Sequence, residues 1–205
     1  MAGALRWLAL GDSYTIGEGV PAEGRWPVQL AAALRDEGLA VEPPRIIATT
    51  GWTTDELAAG MDAEEPLGHW DLVSLLIGVN NQYRGRSAED YRSGFHALLR
   101  RAIALAGGRA ERVLVLSIPD WGVTPFARGD DRDPARIAAE LDRYNAIAAT
   151  LCADHGVAFV DITAASRERG DDPAMLAEDG LHPSVAMYAR WAEAALPVVR
   201  RLLVA

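Results

Sequence analysis

Apolar residues fall into two alternating patterns along this chain. Short, nearly unbroken apolar runs at 5–10, 45–48, 71–77, 112–118 and 157–162 predict five buried strands. Between them lie longer stretches with polar residues interleaved, and these predict helices. Residues 26–37 read as a helix, with Pro27 suited to its first turn and Gly38 to its stop. Thr53 and Glu56 have capping-box spacing and open a short helix. Ser87 caps a helix running to about 106. Asp133-Pro134 opens another that Gly156 stops, and Ser184 caps a last one running toward Leu203. No repeat or low-complexity linker divides the chain, so 1–205 reads as a single domain. Five apolar strands alternating with helices imply an α/β fold with a parallel sheet covered on both faces. Right-handed crossovers make it doubly wound. In such sheets ligands bind beyond the carboxyl ends of the strands, so the residues after each strand are where chemistry is expected.

Composition narrows the function. The chain has 205 residues, half of them hydrophobic, which is enough for a core without staples. Twenty arginines, no lysine and 29 acidic residues leave a net charge of −9, which disfavours a nucleic-acid backbone binder. The single Cys152 excludes an internal disulfide and a cysteine-based zinc site. No two histidines are four residues apart, so none pair on one helix turn to grip a metal. The apolar run at 5–10 is too short for a signal or membrane segment, and the chain as given reads as cytoplasmic.

The segments after the strands carry the candidate chemistry. They hold Gly11-Asp12-Ser13 with Gly17 and Gly19, then Gly51, then Gly78-Val79-Asn80, then Asp179-Gly180-Leu181-His182-Pro183. Taken singly, each has an ordinary structural explanation as a turn, cap or loop residue. Together, at one predicted sheet edge, they supply a hydroxyl, glycine amides, a carboxamide and an Asp/His pair, the parts of an acyl-transfer site. A serine hydroxyl needs an adjacent base, and His182 is the candidate. Asp179, three residues earlier, is placed to accept the ring N–H and hold its tautomer.

These four blocks resemble the SGNH, or GDSL, hydrolase family over residues 8–183. The resemblance implies a flavodoxin-like three-layer α/β/α sandwich with a five-stranded parallel sheet in the order 2-1-3-4-5. It also implies a cofactor-free serine esterase acting on a small-molecule ester, expected to carry a short acyl or acetyl group. Catalytic Ser13, Asp179 and His182 would work with an oxyanion hole built from Ser13, Gly51 and Asn80. Alternatives within the family are a carbohydrate O-acetylesterase, a lysophospholipase or a thioesterase. A catalytically silent binding module on this fold is the alternative from another class. Two positions depart from the family pattern: Tyr14 replaces its usual leucine, and Asn81 its usual aspartate. They bear on acyl preference and loop geometry. The α/β-hydrolase elbow fits less well, because Ser13 lacks the second glycine of that motif and follows the first strand.

The remaining features divide between packing and pocket. Tyr14, Trp52, Asn81, Tyr83 and Trp121 are candidate walls of the substrate pocket, and Arg84 and Arg86 could meet an anionic substrate group. Segment 119–132 is long enough to be a lid or binding loop. His69 is expected in a surface or packing role, His96 at a helix surface, His155 at a helix end, and Cys152 in the core. The acidic stretches at 130–133 and 171–172 read as solvated loops, without the ligand spacing of a calcium loop. Gly17 and Gly19 lack the third glycine of a dinucleotide cradle, with the first helix expected only near Trp26.

Overall fold

A computed structural model describes residues 3–204. Five parallel strands form one sheet: β1 (Trp7–Gly11), β2 (Arg45–Ala48), β3 (Leu72–Leu76), β4 (Val113–Leu116) and β5 (Ala158–Val160). Their order is β2-β1-β3-β4-β5, the order the family resemblance implied. Every residue of β1 and β3 is buried, which is why both read as nearly unbroken apolar runs. Leu10 of β1 pairs with Ile47 on one side and Leu75 on the other. The chain leaves β1 toward β2, then returns across β1 to β3. That reversal opens a crevice at the carboxyl ends of β1 and β3.

Helices α2 (Trp26–Asp36) and α8 (Val185–Val204) pack together on one face of the sheet. On the other face lie α3 (Thr54–Ala63), α5 (Ala88–Leu105) and α6 (Pro134–His155). The caps follow from sequence chemistry. Ser87 Oγ accepts the Asp90 N–H at 3.1 Å, and Asp133 accepts that of Ala135 at 3.0 Å. In the core the Trp7 indole N–H donates to Ser74 Oγ at 3.0 Å, so the one polar side chain within β3 is satisfied.

Several expectations need correction. The first helix does not wait for Trp26: α1 (Ser13–Ile16) and α4 (Val79–Tyr83) begin inside segments expected to be loops, and α7 (Thr163–Arg169) follows β5. The first two span about one turn each, too short to display a 3.6-residue apolar period. Segment 119–132, long enough to be a lid or binding loop, is internally structured. It folds into 3₁₀ turns at Trp121–Val123 and Phe126–Gly129, with Trp121 buried and Asp120 paired to Arg167 at 2.8 Å. His96 is half-buried and lies 2.9 Å, Nε2 to Nε2, from His155, joining α5 to α6. The acidic stretches stay at the surface, as expected, and make local pairs there: Asp130 holds Arg132, Asp172 holds Arg169, and Asp133 caps α6. Among the described residues, no helix is long and apolar enough to cross a membrane.

Candidate active site

Ser13 owes its position to the turn between β1 and α1. A side chain at Gly11 would place its Cβ 2.5 Å from the Leu76 carbonyl and 2.2 Å from Thr15 Oγ1. Only a glycine therefore lets β1 turn into α1 this close to β3. Asp12 caps α1, its Oδ1 accepting the Tyr14 N–H at 3.0 Å. Ser13 is the first residue of that helix, where N–H groups have no intrahelical acceptor. Asp12 is completely buried, and its Oδ2 has no hydrogen-bond partner among the described residues. Burial pushes its carboxyl up to about 7, against the pull of the backbone N–H groups of Tyr14, Asp12 and Gly78.

His182 and Asp179 lie in a pinned loop before α8. Oδ2 of Asp179 is 2.5 Å from His182 Nδ1, while its Oδ1 accepts the N–H groups of Leu181 and His182, each at 2.9 Å. The loop is clamped at its base, where the Ala177 N–H donates to the His182 carbonyl at 2.7 Å and Ser184 N–H to the Met175 carbonyl at 2.9 Å. Phe126 N–H reaches the Gly180 carbonyl at 3.1 Å, tying in the 119–132 segment. Partial burial alone would raise the Asp179 carboxyl. The His182 ring and the two backbone N–H groups outweigh it and hold the group below its ordinary value. An ionised Asp179 accepts the Nδ1 proton, which leaves the Nε2 lone pair free for a substrate or nucleophile proton.

Gly51 and Asn80 come from the ends of β2 and β3. Gly51 sits at φ +88°, a conformation that favours glycine, and its carbonyl accepts Arg84 Nη2 at 2.7 Å. Asn80 lies in the first turn of α4, and its Nδ2 donates to the Trp52 carbonyl at 2.9 Å. These two bonds hold the loop after β2 against α4. A carboxamide carries two N–H donors, so the second one on Asn80 remains.

A cavity of about 210 Å³ gathers these groups. Ser13, Tyr14, Gly51, Asn80, Tyr83, Trp121 and His182 all line it. Asp179 stands behind His182, away from the cavity wall. Tyr14 tilts over the His182 ring with centroids 5.8 Å apart and meets Trp191 edge-on at 5.9 Å, so it buttresses the imidazole as well as walling the cavity.

Two pocket candidates lie elsewhere. The Trp52 indole covers Gly60 of α3 so closely that a Cβ there would lie 2.2 Å from the ring. Asn81 is completely buried and staples α4 to the start of α3, accepting the Thr54 N–H at 3.1 Å and donating to Thr54 Oγ1 at 2.9 Å. Both face inward because successive residues on a turn point in different directions. Thr50, Val79, Phe126 and Leu181 line the cavity without having been singled out in the sequence. Val79 and Leu181 lie inside the quoted blocks and Thr50 adjoins Gly51, so position in or beside a block was the signal for these three. Phe126 lies in the 119–132 segment, whose length pointed to a lid or binding loop.

Comparison with known proteins places this chain in a family. Residues 9–190 match the model of the GDSL-like Lipase/Acylhydrolase family. An acetylxylan esterase of Geobacillus stearothermophilus is 28% identical over 146 residues, which is 67% of this chain and 63% of that protein's length. The solved structure of TesA superposes with a TM-score of 0.76 at 21% identity, covering 97% of this chain and 99% of that one. A lipase/acylhydrolase from Enterococcus faecalis gives a TM-score of 0.70 at 22% identity, covering 97% of this chain and 95% of that one. At such identities the structural likenesses speak for the fold alone. The family match spans most of the sequence and includes all four blocks, and the chain therefore belongs to the GDSL-like lipase/acylhydrolase family of ester-bond hydrolases.

Proposed function

We propose that this chain hydrolyses short-chain carboxylic esters with Ser13 as nucleophile, His182 as base and Asp179 as the group that orients it. The observation that carries this reading is the Asp179–His182 contact of 2.5 Å behind a cavity that Ser13, Gly51, Asn80 and His182 share. In the first half-reaction Ser13 Oγ attacks the ester carbonyl carbon and its proton passes to His182 Nε2. The new imidazolium is stabilised by the Asp179 carboxylate. The carbonyl oxygen becomes an oxyanion, which takes N–H bonds from the Ser13 and Gly51 backbone and the Asn80 side chain. Collapse of this intermediate breaks the bond to the alcohol oxygen, and His182 returns the proton to the departing alcohol. Water then repeats the cycle on the acyl-serine, releasing the carboxylic acid and restoring Ser13.

The small cavity supports a short acyl group, since sites for drug-sized ligands run to about 300–1,000 Å³. The acetylxylan esterase relative favours acetyl within that range. Ser13→Ala is expected to abolish hydrolysis of p-nitrophenyl acetate with the far-UV circular dichroism unchanged. A fluorophosphonate probe should label wild-type Ser13 and fail on this variant. Retained turnover in Ser13→Ala removes the serine mechanism.

A further inference from the structure

Next to the catalytic cavity runs a wider groove of about 620 Å³ between the chain after α4 and the exposed face of α6. Tyr83 lines both spaces, so it is their common wall. The Arg132 guanidinium lies 4.1 Å over the Tyr83 ring and 4.7 Å over Trp121, and its Nη1 donates to the Tyr83 carbonyl at 2.9 Å. Tyr83 is 43% exposed, so this partition is a single layer of side chain rather than core.

The groove's lining is rich in arginine. Five guanidiniums line it, those of Arg84, Arg86, Arg132, Arg136 and Arg143, against the carboxylates of Glu89 and Glu140, in a chain whose net charge is −9. Four of the arginines have carboxylate partners: Arg84 with Glu56 at 3.0 Å, Arg86 with Asp55 at 2.6 Å and Asp90 at 3.6 Å, Arg132 with Asp130 at 2.6 Å and Arg136 with Glu140 at 2.8 Å. Of those partners only Glu140 lines the groove. The others hold their arginines from outside it, and a guanidinium has five N–H donors, more than one carboxylate takes. Among the described residues, Arg143 has no carboxylate within ion-pair distance. Arg136 and Arg143 stand on the exposed face of α6, seven residues apart, two turns along one side of the helix.

We propose that this groove binds an anionic group, a carboxylate or a phosphate, on the part of the substrate that extends past Tyr83. The inference rests on the ester-hydrolase reading of the adjoining cavity and names the class of ester it takes: one carrying a negative charge beyond the acyl or alcohol carbon skeleton held at Ser13. Paired guanidiniums match the oxygens of both anions in fork geometry, which lysine does not offer, and the chain's basic residues are all arginine. Tyr83 and Trp121 then divide the two subsites, with Arg132 fixed on both rings.

The full chain tests this by direct binding. Glycerol 3-phosphate and succinate, titrated by calorimetry or NMR at low salt, represent the phosphate and carboxylate sources. At least one is expected to bind, with affinity falling as salt is raised and falling at least tenfold in the double variant R136Q/R143Q. Ser13→Ala should bind as the wild type does. Failure of both probes to bind the wild type overturns the proposal, and so does binding that R136Q/R143Q leaves unchanged. Hydrolysis of neutral p-nitrophenyl acetate by the wild type reports the ester chemistry separately, so loss of activity and loss of anion binding are distinct results.

Discussion

Replacing Asp179 with asparagine tests the tautomer argument most directly. Three hydrogen bonds converge on this carboxylate: the His182 ring at 2.5 Å and two backbone N–H groups at 2.9 Å. Asparagine keeps one oxygen, and the two backbone N–H groups hold that oxygen in place. The amide NH₂ then faces His182 Nδ1, which must accept rather than donate. The ring proton moves to Nε2, and Nε2 can no longer take the Ser13 proton. A wrong tautomer in a Ser-His-Asp arrangement lowers kcat about 10⁴-fold, or about 5.5 kcal/mol. The Asp179 side chain is 42% exposed, so water reaches this site and allows some ring reorientation. The expected loss is therefore about 10³- to 10⁴-fold in kcat, with little change in KM. Turnover of p-nitrophenyl acetate by Asp179→Asn between pH 6 and 9 measures it, with active-site titration to count competent molecules. Asp179→Ala should retain more activity, because water can fill the gap and accept the Nδ1 proton. A kcat within fivefold of wild type in Asp179→Asn would refute the assignment of Asp179 as the orienting group.

Other outcomes follow from the same geometry. Asn80→Ala removes one proposed oxyanion donor and should lower kcat about 10²–10³-fold while moving KM little; a pure KM effect would place Asn80 in ground-state binding. Asp12 is buried with its carboxyl raised to about 7, so it contributes stability that is present below about pH 4 and lost as pH rises through 7. Asp12→Asn keeps an oxygen for the Tyr14 N–H and should be more stable than wild type at pH 8, by at most about 4 kcal/mol, with the difference shrinking toward pH 4.5. Equal thermal shifts at both pH values would contradict the buried charge. Gly78→Ala would drive a Cβ to 2.4 Å from the Tyr91 ring and 2.9 Å from Ile118 at φ +130°, and should destabilise by about 3 kcal/mol in urea unfolding. An unchanged midpoint would mean that Tyr91 moves aside freely.

Much of this architecture was legible in the residues alone. The five strands announce themselves because a parallel sheet covered on both faces demands unbroken apolar runs, and Leu72–Leu76 is buried along its whole length. The long helices carry their own stops and starts, as Ser87, Asp133 and Gly156 illustrate. The candidate site could also be placed from sequence, because Ser13, Gly51 and Asn80 come just after β1, β2 and β3, Asp179 and His182 lie between β5 and the last helix, and strand ends in this topology meet at one edge. What the sequence could not decide is the direction of neighbouring side chains. Trp52 and Asn81 adjoin Gly51 and Asn80, yet one covers Gly60 and the other binds Thr54, while Phe126 reaches the cavity from a distant segment. A half-turn of backbone separates wall from core, and that rotation is set by packing between elements far apart in the chain. The sequence by itself determined which groups are present and which sheet edge they share. Only the tertiary structure decided which of them face the cavity, and that the space beyond Tyr83 is lined with arginine, because both depend on long-range contacts that no local pattern encodes.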